Sequence, residues 1–497
     1  MKLSAFIKKF ESDIIDKLYP NKYEVRENDY EIKSIHSNSK NVKEGGLFIA
    51  IKGFNADGHN YIKEAMKKGA KAIISEKKVK NCNVPVIVVK NSRKILSGVS
   101  ASFFNNPSEH LFLIGVTGTN GKTTVTYLIE NILNTAGKNT GVIGTVNTRY
   151  AGAEVANSLT TPEACHLQKA FFEMKKNRVT HAVMEVTSHA IDFFRIEDCL
   201  FDAVVFTNLT QDHLDYHKDM ETYWNCKKSL FTNHIIKGCK KDKVVSVINM
   251  DNQYGKQLYQ TVVTKKISVG SGGDNFIGAE SVEYKITGIK AVLKIAGKRF
   301  ELNSPLIGKH NLQNILCAAG AGIAAGISGE DIIQGIENSK NIPGRLEKVF
   351  NKAKKYIFVD YAHTPDALEN VLLALKELKP KKIITVFGCG GDRDKTKRSI
   401  MGKIAGKLSD LCIITSDNPR SEDPNEIIEQ IIKGVKTETD NFIIEPDRKK
   451  GIEVGIKALT GEDILIIAGK GHETYQIIKD KKLDFDDRKI AEQIVSL

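Results

Sequence analysis

The chain has 497 residues, and at about 150 residues per hydrophobic core that length predicts roughly three domains. Hydrophobic content of 41% and charged content of 27% place it among ordinary globular proteins. The net charge of +13 admits nucleic acid, an acidic membrane or an anionic small substrate as partner. The lysines are spread along the chain, not gathered in one arm, and no nucleic-acid module accompanies them. No nucleic-acid partner is expected, and attraction of a multiply charged anion fits the charge equally well.

The amino-terminal stretch MKLSAFIKKFESDIIDKLYP carries Glu11 and Asp13 and has no apolar core of signal-peptide length. The longest apolar stretch, Ile315 to Ile327, falls short of the ~18 residues of a spanning helix. A cytosolic protein without membrane insertion is expected. The eight cysteines show no C-x-x-C and no metal-finger spacing, so ordinary thiols are expected.

Three textures follow one another. Up to about Pro107, short strands (GGLFIAIKG, GAKAIISE, VPVIVVK) alternate with helical patterns such as NYIKEAMKKG, predicting a small α/β module over 1–107. From LFLIGVTG to about Ile342, apolar strands end in polar clusters (THAVMEVTSHA, FDAVVFTNLTQDH, KVVSVINMD), predicting a parallel-sheet domain over 108–342. NSKNIPGR marks a linker, and a third, Rossmann-like α/β unit follows over 343–497 with KYIFVDYAHTP, KKIITVFGCGGDRD, DLCIITSDNPR and DILIIAGKGHE.

LFLIGVTGTNGKTTVTYLIENIL joins an apolar strand to an amphipathic helix through GTNGKTT, comprising Gly118, Thr119, Asn120, Gly121, Lys122, Thr123 and Thr124. Glycines let backbone N–H groups converge on one oxyanion, and the helix adds its dipole. Lys122 supplies a charge to the outer phosphates and Thr123 a hydroxyl for magnesium. Val116 stands where the usual pattern has its first glycine. Glu185 ends a second strand, and Asp212, His213 and Asp215 follow a third. A carboxylate and an imidazole aimed at phosphates suit Mg²⁺, which accepts few protein ligands. Lys227 and Lys228 sit on a probable helix in YWNCKKSLF. Glycines in VFGCGGDRD suggest a dinucleotide fingerprint at Gly388 and Gly390, but the third glycine is Arg393 and the pattern fails.

GVTGTNGKTT, MEVTSHA, TNLTQDHLDYH, GKHNLQN, IPGRLE, DYAHTPDALE, FGCGGDRD, SDNPRSEDP, GKGHE and FDDR occur in the order and spacing of the Mur ligases, which the chain resembles over nearly its whole length. The resemblance implies ATP-driven amide ligation. The D-glutamate carboxylate of UDP-MurNAc-L-Ala-D-Glu attacks ATP, and an incoming amino acid displaces phosphate from the acyl phosphate. It implies ATP contacts at Gly118 to Thr124, Asn314, Arg345 and Asp360, and Mg²⁺ ligands at Thr123, Glu185 and His213. Lys227 matches a lysine carbamylated by CO₂, which needs a partly buried amine of lowered pKa, with Lys228 the exposed one. Ser39, Thr160, Thr161, Thr187 and Arg195 match contacts to the UDP substrate. Asn38, Lys40, Leu159 and Thr187 depart from the family pattern. Asp417, Asn418, Pro419 and Arg420, with Arg393, Gly469 and Glu473, match contacts to meso-diaminopimelate. That assignment has a physical basis: diaminopimelate carries a carboxylate where lysine does not, and a guanidinium offers it a planar fork. A sister ligase adding L-lysine, and a nucleotide-dependent binding protein, are the alternatives. The chain is expected to act as a monomer.

Overall fold

Apolar runs bounded by turn residues become strands, and the polar residues that follow them collect at the strands' carboxyl ends. The computed structural model describes residues 1–19, 30–53, 56–339, 341–353 and 355–496. Pro20 of the amino-terminal stretch, Phe54 and Asn55 beyond GGLFIAIKG, and Lys340 of NSKNIPGR lie outside the described residues. The chain groups into two compact units, Met1–Ser268 with Gly320–Ile327, and Val269–Ala319 with Ser328–Leu497.

The first unit opens with α1 (Leu3–Lys9), β1 (Ile14–Leu18), β2 (Ser34–His36), β3 (Gly46–Ile49), α2 (Ile62–Lys67), β4 (Ala70–Ser75), β5 (Val86–Val89) and α3 (Ser92–Phe103). The strands form one sheet in the order β1-β5-β4-β3-β2, parallel except for β1. Every residue of β3 and β5 is buried, which is why they read as continuous apolar runs instead of alternating ones. Asn91 caps α3, its side chain accepting from the Lys94 N–H at 2.9 Å.

Next come β6 (Phe112–Thr117), α4 (Lys122–Thr135), β7 (Thr140–Ile143), β8 (Asn147–Tyr150), β9 (Ala153–Ala156), α5 (Ala164–Lys176), β10 (His181–Glu185), α6 (Ser188–Asp192), β11 (Ala203–Phe206), α7 (Leu214–His217), α8 (Met220–Ser229), β12 (Val245–Asn249) and α9 (Gln253–Thr261). Strands β12-β11-β6-β10-β7 run parallel, with β8 and β9 added antiparallel at the edge. Register pairs Glu185 with Val116 and Phe206 with Thr117, so the ends of β10 and β11 lie level with the start of the phosphate loop. That is the crevice in which such sheets bind ligands.

After β13 (Lys265–Val269), the second unit has a meander of β14 (Ile277–Lys285), β15 (Gly288–Ile295) and β16 (Lys298–Ser304), then the first part of α10 (Lys309–Ala324), whose residues from Gly320 on belong to the first unit, and α11 (Gly329–Glu337). It continues with β17 (Glu347–Lys348), β18 (Tyr356–Asp360), α12 (Pro365–Glu377), β19 (Ile383–Phe387), α13 (Thr396–Leu408), β20 (Leu411–Ile414), α14 (Pro424–Val435), β21 (Phe442–Ile444), α15 (Arg448–Ala458), β22 (Ile464–Ala468), β23 (Tyr475–Ile478), β24 (Lys481–Asp484) and α16 (Asp487–Ser496). The six-stranded sheet has the order β17-β18-β22-β19-β20-β21, with only β17 antiparallel. The four apolar runs read in the third unit are β18, β19, β20 and β22.

A fully buried ion pair fixes two strand ends in this unit. Arg448 Nε and Nη2 donate to the two Asp487 oxygens at 2.8 and 2.7 Å, with both side chains 0% exposed. The same guanidinium donates to the carbonyls of Ser416 and Ala468, the residues just before Asp417 and Gly469. Removing one partner of such a pair strands a buried charge, whereas replacing both with apolar groups is far cheaper. Asp487→Ala should therefore cost ~3–5 kcal/mol of stability, and Arg448→Met with Asp487→Leu much less. Thermal melts of the single and double variants check this, and equal losses would contradict it.

Candidate active site

The phosphate loop is shaped by two glycines. Gly118 has φ +152 and a Cβ there would collide with the Thr207 hydroxyl. Gly121, at φ +86, is the last residue before α4. The loop is braced by the segment after β11. Asn120 N donates to Asn208 Oδ1 at 2.9 Å, Thr207 Oγ1 donates to the Asn120 carbonyl at 2.7 Å, and Thr210 N donates to Thr119 Oγ1 at 3.0 Å. Thr119 Oγ1 also lies 3.2 Å from the Tyr223 hydroxyl of α8. Lys122 folds back over the loop, donating to the carbonyls of Gly118 and Thr119 at 3.0 and 2.8 Å. Thr124 is buried on the first turn of α4.

Lys227 comes to the same point from α8. It is 1% exposed, and its Nζ donates to the Gly118 carbonyl at 2.9 Å and sits 4.9 Å from the Tyr223 ring. Burial, and then the nearby Lys122 charge, push its pKa well below the ordinary lysine value. Lys228 differs from its expected exposure: it is half-buried, because α8 packs on two sides with Tyr223, Trp224 and Lys227 inward.

Glu185 ends β10 at 1% exposure. Its carboxylate accepts from Thr123 Oγ1 at 3.1 Å, Thr145 Oγ1 at 2.9 Å and Thr145 N at 2.8 Å. His213 precedes α7 at φ +54, with its Nε2 3.6 Å from Asp212 Oδ2. Its pKa is lowered to about 4, chiefly by burial and opposed by Asp212, with His189, Lys122 and Lys227 lowering it further. No group of three or more His, Cys, Asp or Glu side chains among the described residues is arranged as a metal cage. A hydroxyl and a carboxylate 3.1 Å apart beside a phosphate loop are nonetheless the oxygen donors Mg²⁺ takes when phosphates and water complete its shell. Thr123 and Glu185 fit that ion.

The residues matched to the UDP substrate gather around Glu185 with one exception. Thr161 Oγ1 donates to the Glu185 carbonyl at 2.8 Å and lies 3.3 Å from Thr187 Oγ1, while Thr160 Oγ1 is 3.1 Å from Thr145 Oγ1. Arg195 Nη1 donates to the Thr161 carbonyl at 3.2 Å and its Nη2 pairs with Glu163 at 2.8 Å. Ser39 instead donates to Glu64 Oε2 at 2.8 Å within the first sheet's module, and Asn38 caps the Lys40 N–H at 2.9 Å. Leu159 is exposed. Two residues escaped the sequence reading: Thr145, which links Glu185 to Thr160, and Glu163, which holds both Arg195 and Arg93. The available signals were the polar turn after β7 and the last letter of LTTPE.

In the second unit, Asn418 Nδ2 donates to Glu473 Oε2 at 2.9 Å, and Arg420 Nη1 donates to the Gly391 carbonyl at 2.7 Å. Asp417 is buried, which raises its carboxyl pKa, and it packs against Gly469 at φ +114. Pro419 O packs against Gly391, while Arg393 is exposed and donates to the Asp392 carbonyl at 3.1 Å. Lys470 was missed too. It is 0% exposed between Asn418 Oδ1 at 3.3 Å and Glu473 Oε2 at 3.4 Å, and donates to the Tyr475 carbonyl. Elsewhere in this unit Asp360 accepts from the N–H groups of Leu346 at 2.7 Å and Ala362 at 2.8 Å, and burial raises its pKa against the Arg345 charge. Arg345 lies 5.2 Å from the Tyr361 ring, and Asn314 donates to Asn311 at 2.9 Å.

Models described as the Mur ligase family catalytic domain, the Mur ligase middle domain and the Mur ligase glutamate ligase domain match residues 31–104, 116–322 and 344–471. A relative from Halalkalibacterium halodurans, named UDP-N-acetylmuramoyl-L-alanyl-D-glutamate–2,6-diaminopimelate ligase, is 43% identical over 482 residues, 97% of this chain and 98% of the relative. The chain belongs to the Mur ligase family. A protein of the same name from Aquifex aeolicus is 44% identical over 464 residues, 93% of this chain and 94% of that one. A solved structure of a ligase so named matches with a TM-score of 0.68 at 28% identity, over 96% of both chains. The Mur ligase middle-domain match encloses the phosphate loop, Glu185, His213 and Lys227, and the glutamate-ligase match encloses Arg345, Asp360, Arg393 and Arg420.

The depressed pKa of Lys227 carries a signed consequence. Between that value and the ordinary lysine value the unfolded chain binds more protons than the folded one, so stability rises with pH across the window. Lys227→Met should thus be more stable than wild type near neutral pH in CO₂-free buffer, by roughly 1–3 kcal/mol, the cost of a poorly satisfied buried group. The gap should narrow as pH climbs toward the ordinary lysine value. Thermal melts across pH check this, and a variant less stable than wild type at every pH would refute it.

Proposed function

We propose that this chain joins meso-diaminopimelate to the D-glutamate carboxylate of UDP-MurNAc-L-Ala-D-Glu at the expense of ATP, in peptidoglycan precursor synthesis. The 43% identity with a full-length ligase of that name supports the reading. The observation that carries it is Arg420, a half-buried guanidinium beside the Asn418–Glu473 pair. Diaminopimelate presents a carboxylate and an ammonium at its far end, and a guanidinium next to a carboxylate complements both. We assign the three domains to 1–107, 108–342 and 343–497, acting as a cytosolic monomer.

The backbone N–H groups of Gly118 to Thr124 and the start of α4 would cradle the phosphates, with Lys122 swinging from its two carbonyls to the outer ones. Asn314, Arg345 and Asp360 would contact the rest of the nucleotide. Thr123, Glu185 and His213 would hold Mg²⁺, which supplies neutralisation of phosphate charge. Ser39, Thr160, Thr161, Thr187 and Arg195 would orient the UDP substrate so that its carboxylate oxygen attacks the γ-phosphorus in line and ADP leaves. The amine, held by Arg393, Asp417, Asn418, Pro419, Arg420, Gly469 and Glu473, would then attack the acyl carbon, expel phosphate and lose a proton. Most of the acceleration in such a scheme comes from alignment and charge neutralisation. Lys227, its pKa lowered by burial, would in its unprotonated form add CO₂ and lose a further proton to become a carbamate, placing an anion beside Lys122.

ATP-dependent phosphate release with UDP-MurNAc-L-Ala-D-Glu should be seen with diaminopimelate and fall on the order of 10⁴-fold with lysine, which leaves Arg420 unpaired. Equal use of lysine would overturn the assignment in favour of a lysine-adding ligase. Arg420→Ala should lose diaminopimelate turnover while still binding ATP, with an unchanged KM for diaminopimelate as the contrary result. Lys227→Ala should be nearly inactive and partly recovered by short-chain carboxylic acids, and wild-type rates in that variant would exclude the carbamate.

A further inference from the structure

Two loops meet in the second unit under conditions that backbone alone does not favour. Asp392, at φ +53, and Arg420, at φ +51, are both non-glycine residues in the left-handed region. Such residues persist where their surroundings over-determine them. The loops touch backbone to backbone: Gly391 N donates to the Asn418 carbonyl at 2.9 Å, and a Cβ at Gly391 would collide with the Pro419 carbonyl. Ser421 donates to Asp392 from both its N–H, at 3.3 Å, and its hydroxyl, at 2.6 Å.

The tie between them is Arg398 of α13, whose side chain is 0% exposed. Its Nη1 donates to Glu422 Oε2 at 2.9 Å and to Gln430 Oε1 at 3.0 Å, while Nη2 donates to Glu422 Oε1 at 2.9 Å and to the Gly390 carbonyl at 3.2 Å. Glu422 Oε1 also accepts from the Asp392 N–H at 2.6 Å. One guanidinium–carboxylate fork therefore grips Gly390 and Asp392 on one loop and Glu422, two residues from Arg420, on the other. Arg398 Nε is buried with no hydrogen-bond partner among the described residues. A buried ion pair with an unsatisfied donor is a poor source of stability, and apolar side chains would fill the same space at less cost. What the pair does supply is position. Arg420 Nη1 donates to the Gly391 carbonyl, so the direction of that guanidinium follows wherever the Gly390–Arg393 loop is held.

We propose that Arg398, acting through Glu422, is the positioning residue that sets how strongly this chain prefers an incoming amino acid with a second carboxylate over one without. The proposal rests on the ligase reading above. Arg398 itself touches no reactant in this scheme. Its loss frees the loops that aim Arg393 and Arg420, and discrimination should suffer before nucleotide use does.

The test is steady-state phosphate release by Arg398→Met and Glu422→Gln with diaminopimelate and with lysine, at saturating ATP and UDP substrate. For Arg398→Met, KM for diaminopimelate should rise ~10-fold while KM for ATP stays within about 2-fold. The diaminopimelate-to-lysine ratio of kcat/KM should fall ~10-fold or more. Glu422→Gln keeps the side chain's shape and should lower that ratio ~3-fold or more, and it decides the matter if Arg398→Met does not fold. An unchanged ratio, or KM values for ATP and diaminopimelate rising together, would show a merely structural pair and overturn the proposal. A wild-type chain that turns over neither amino acid would sink the ligase reading and this proposal with it, whereas a failure confined to the variants leaves that reading standing.

Discussion

Two lysine side chains donate to one carbonyl oxygen, that of Gly118, and the chemistry of the first unit follows from this crowding. Two ammonium groups that share one oxygen repel each other, and the Lys122 charge is one of the causes that lower the Lys227 pKa. The loop relieves this in two ways. Lys122 has a long arm, half-buried at the start of a helix, and can turn toward an anion. Lys227 is enclosed and cannot turn away, so burial and the Lys122 charge push its pKa well below the ordinary lysine value. Phosphates at the loop would stabilise both. A lysine whose pKa is lowered in this way gives up its proton more readily than an exposed one.

The same unit shows why the parallel sheet suits this arrangement. Register places the ends of β6, β10 and β11 at one level, so Gly118, Glu185 and Thr207 need no long loops to meet. Glu185 then anchors outward. Thr123 and Thr145 donate to its carboxylate, and its backbone carbonyl receives Thr161. One strand terminus thereby links the phosphate loop to the polar face that runs through Thr160, Thr187 and Arg195. A change at Glu185 would disturb the proposed Mg²⁺ donor and the proposed substrate face together.

Much of this was legible in the sequence, for identifiable reasons. Strands β6, β10, β11, β18, β19 and β22 are covered on both faces and read as unbroken apolar runs, and GTNGKTT states its own conformation through its glycines. The meander β14–β16 went unread because it alternates buried and exposed residues amid lysines and glutamates, as in the pattern of β14. Burial of charge was harder still. Nothing local separates Lys227 and Lys470, both enclosed, from the many solvated lysines, and Lys228 proved half-buried instead of exposed. Partners such as Glu163 for Arg195, or Asp487 for Arg448, lie 32 and 39 residues away in the chain, beyond any periodicity.

In the second unit, unlike at Lys227, the enclosed cations have carboxylate partners. Its buried cations are matched: Arg448 by Asp487, Arg398 by Glu422, and Lys470 by Asn418, Glu473 and a carbonyl. Since a matched buried pair adds little net stability, its effect lies in geometry. Each pair ends within two residues of a group proposed above to hold the amino acid: Arg448 at the carbonyls before Asp417 and Gly469, Glu422 beside Arg420, and Lys470 at Asn418 and Glu473. In the proposed function this unit separates two molecules differing by one carboxylate, and it cannot rely on shape because the extra group is small. It has to hold a guanidinium and a carboxylate at fixed separation in a place where neither can turn to water. Buried forks, with their few allowed geometries, are the means by which ordinary loops acquire that rigidity.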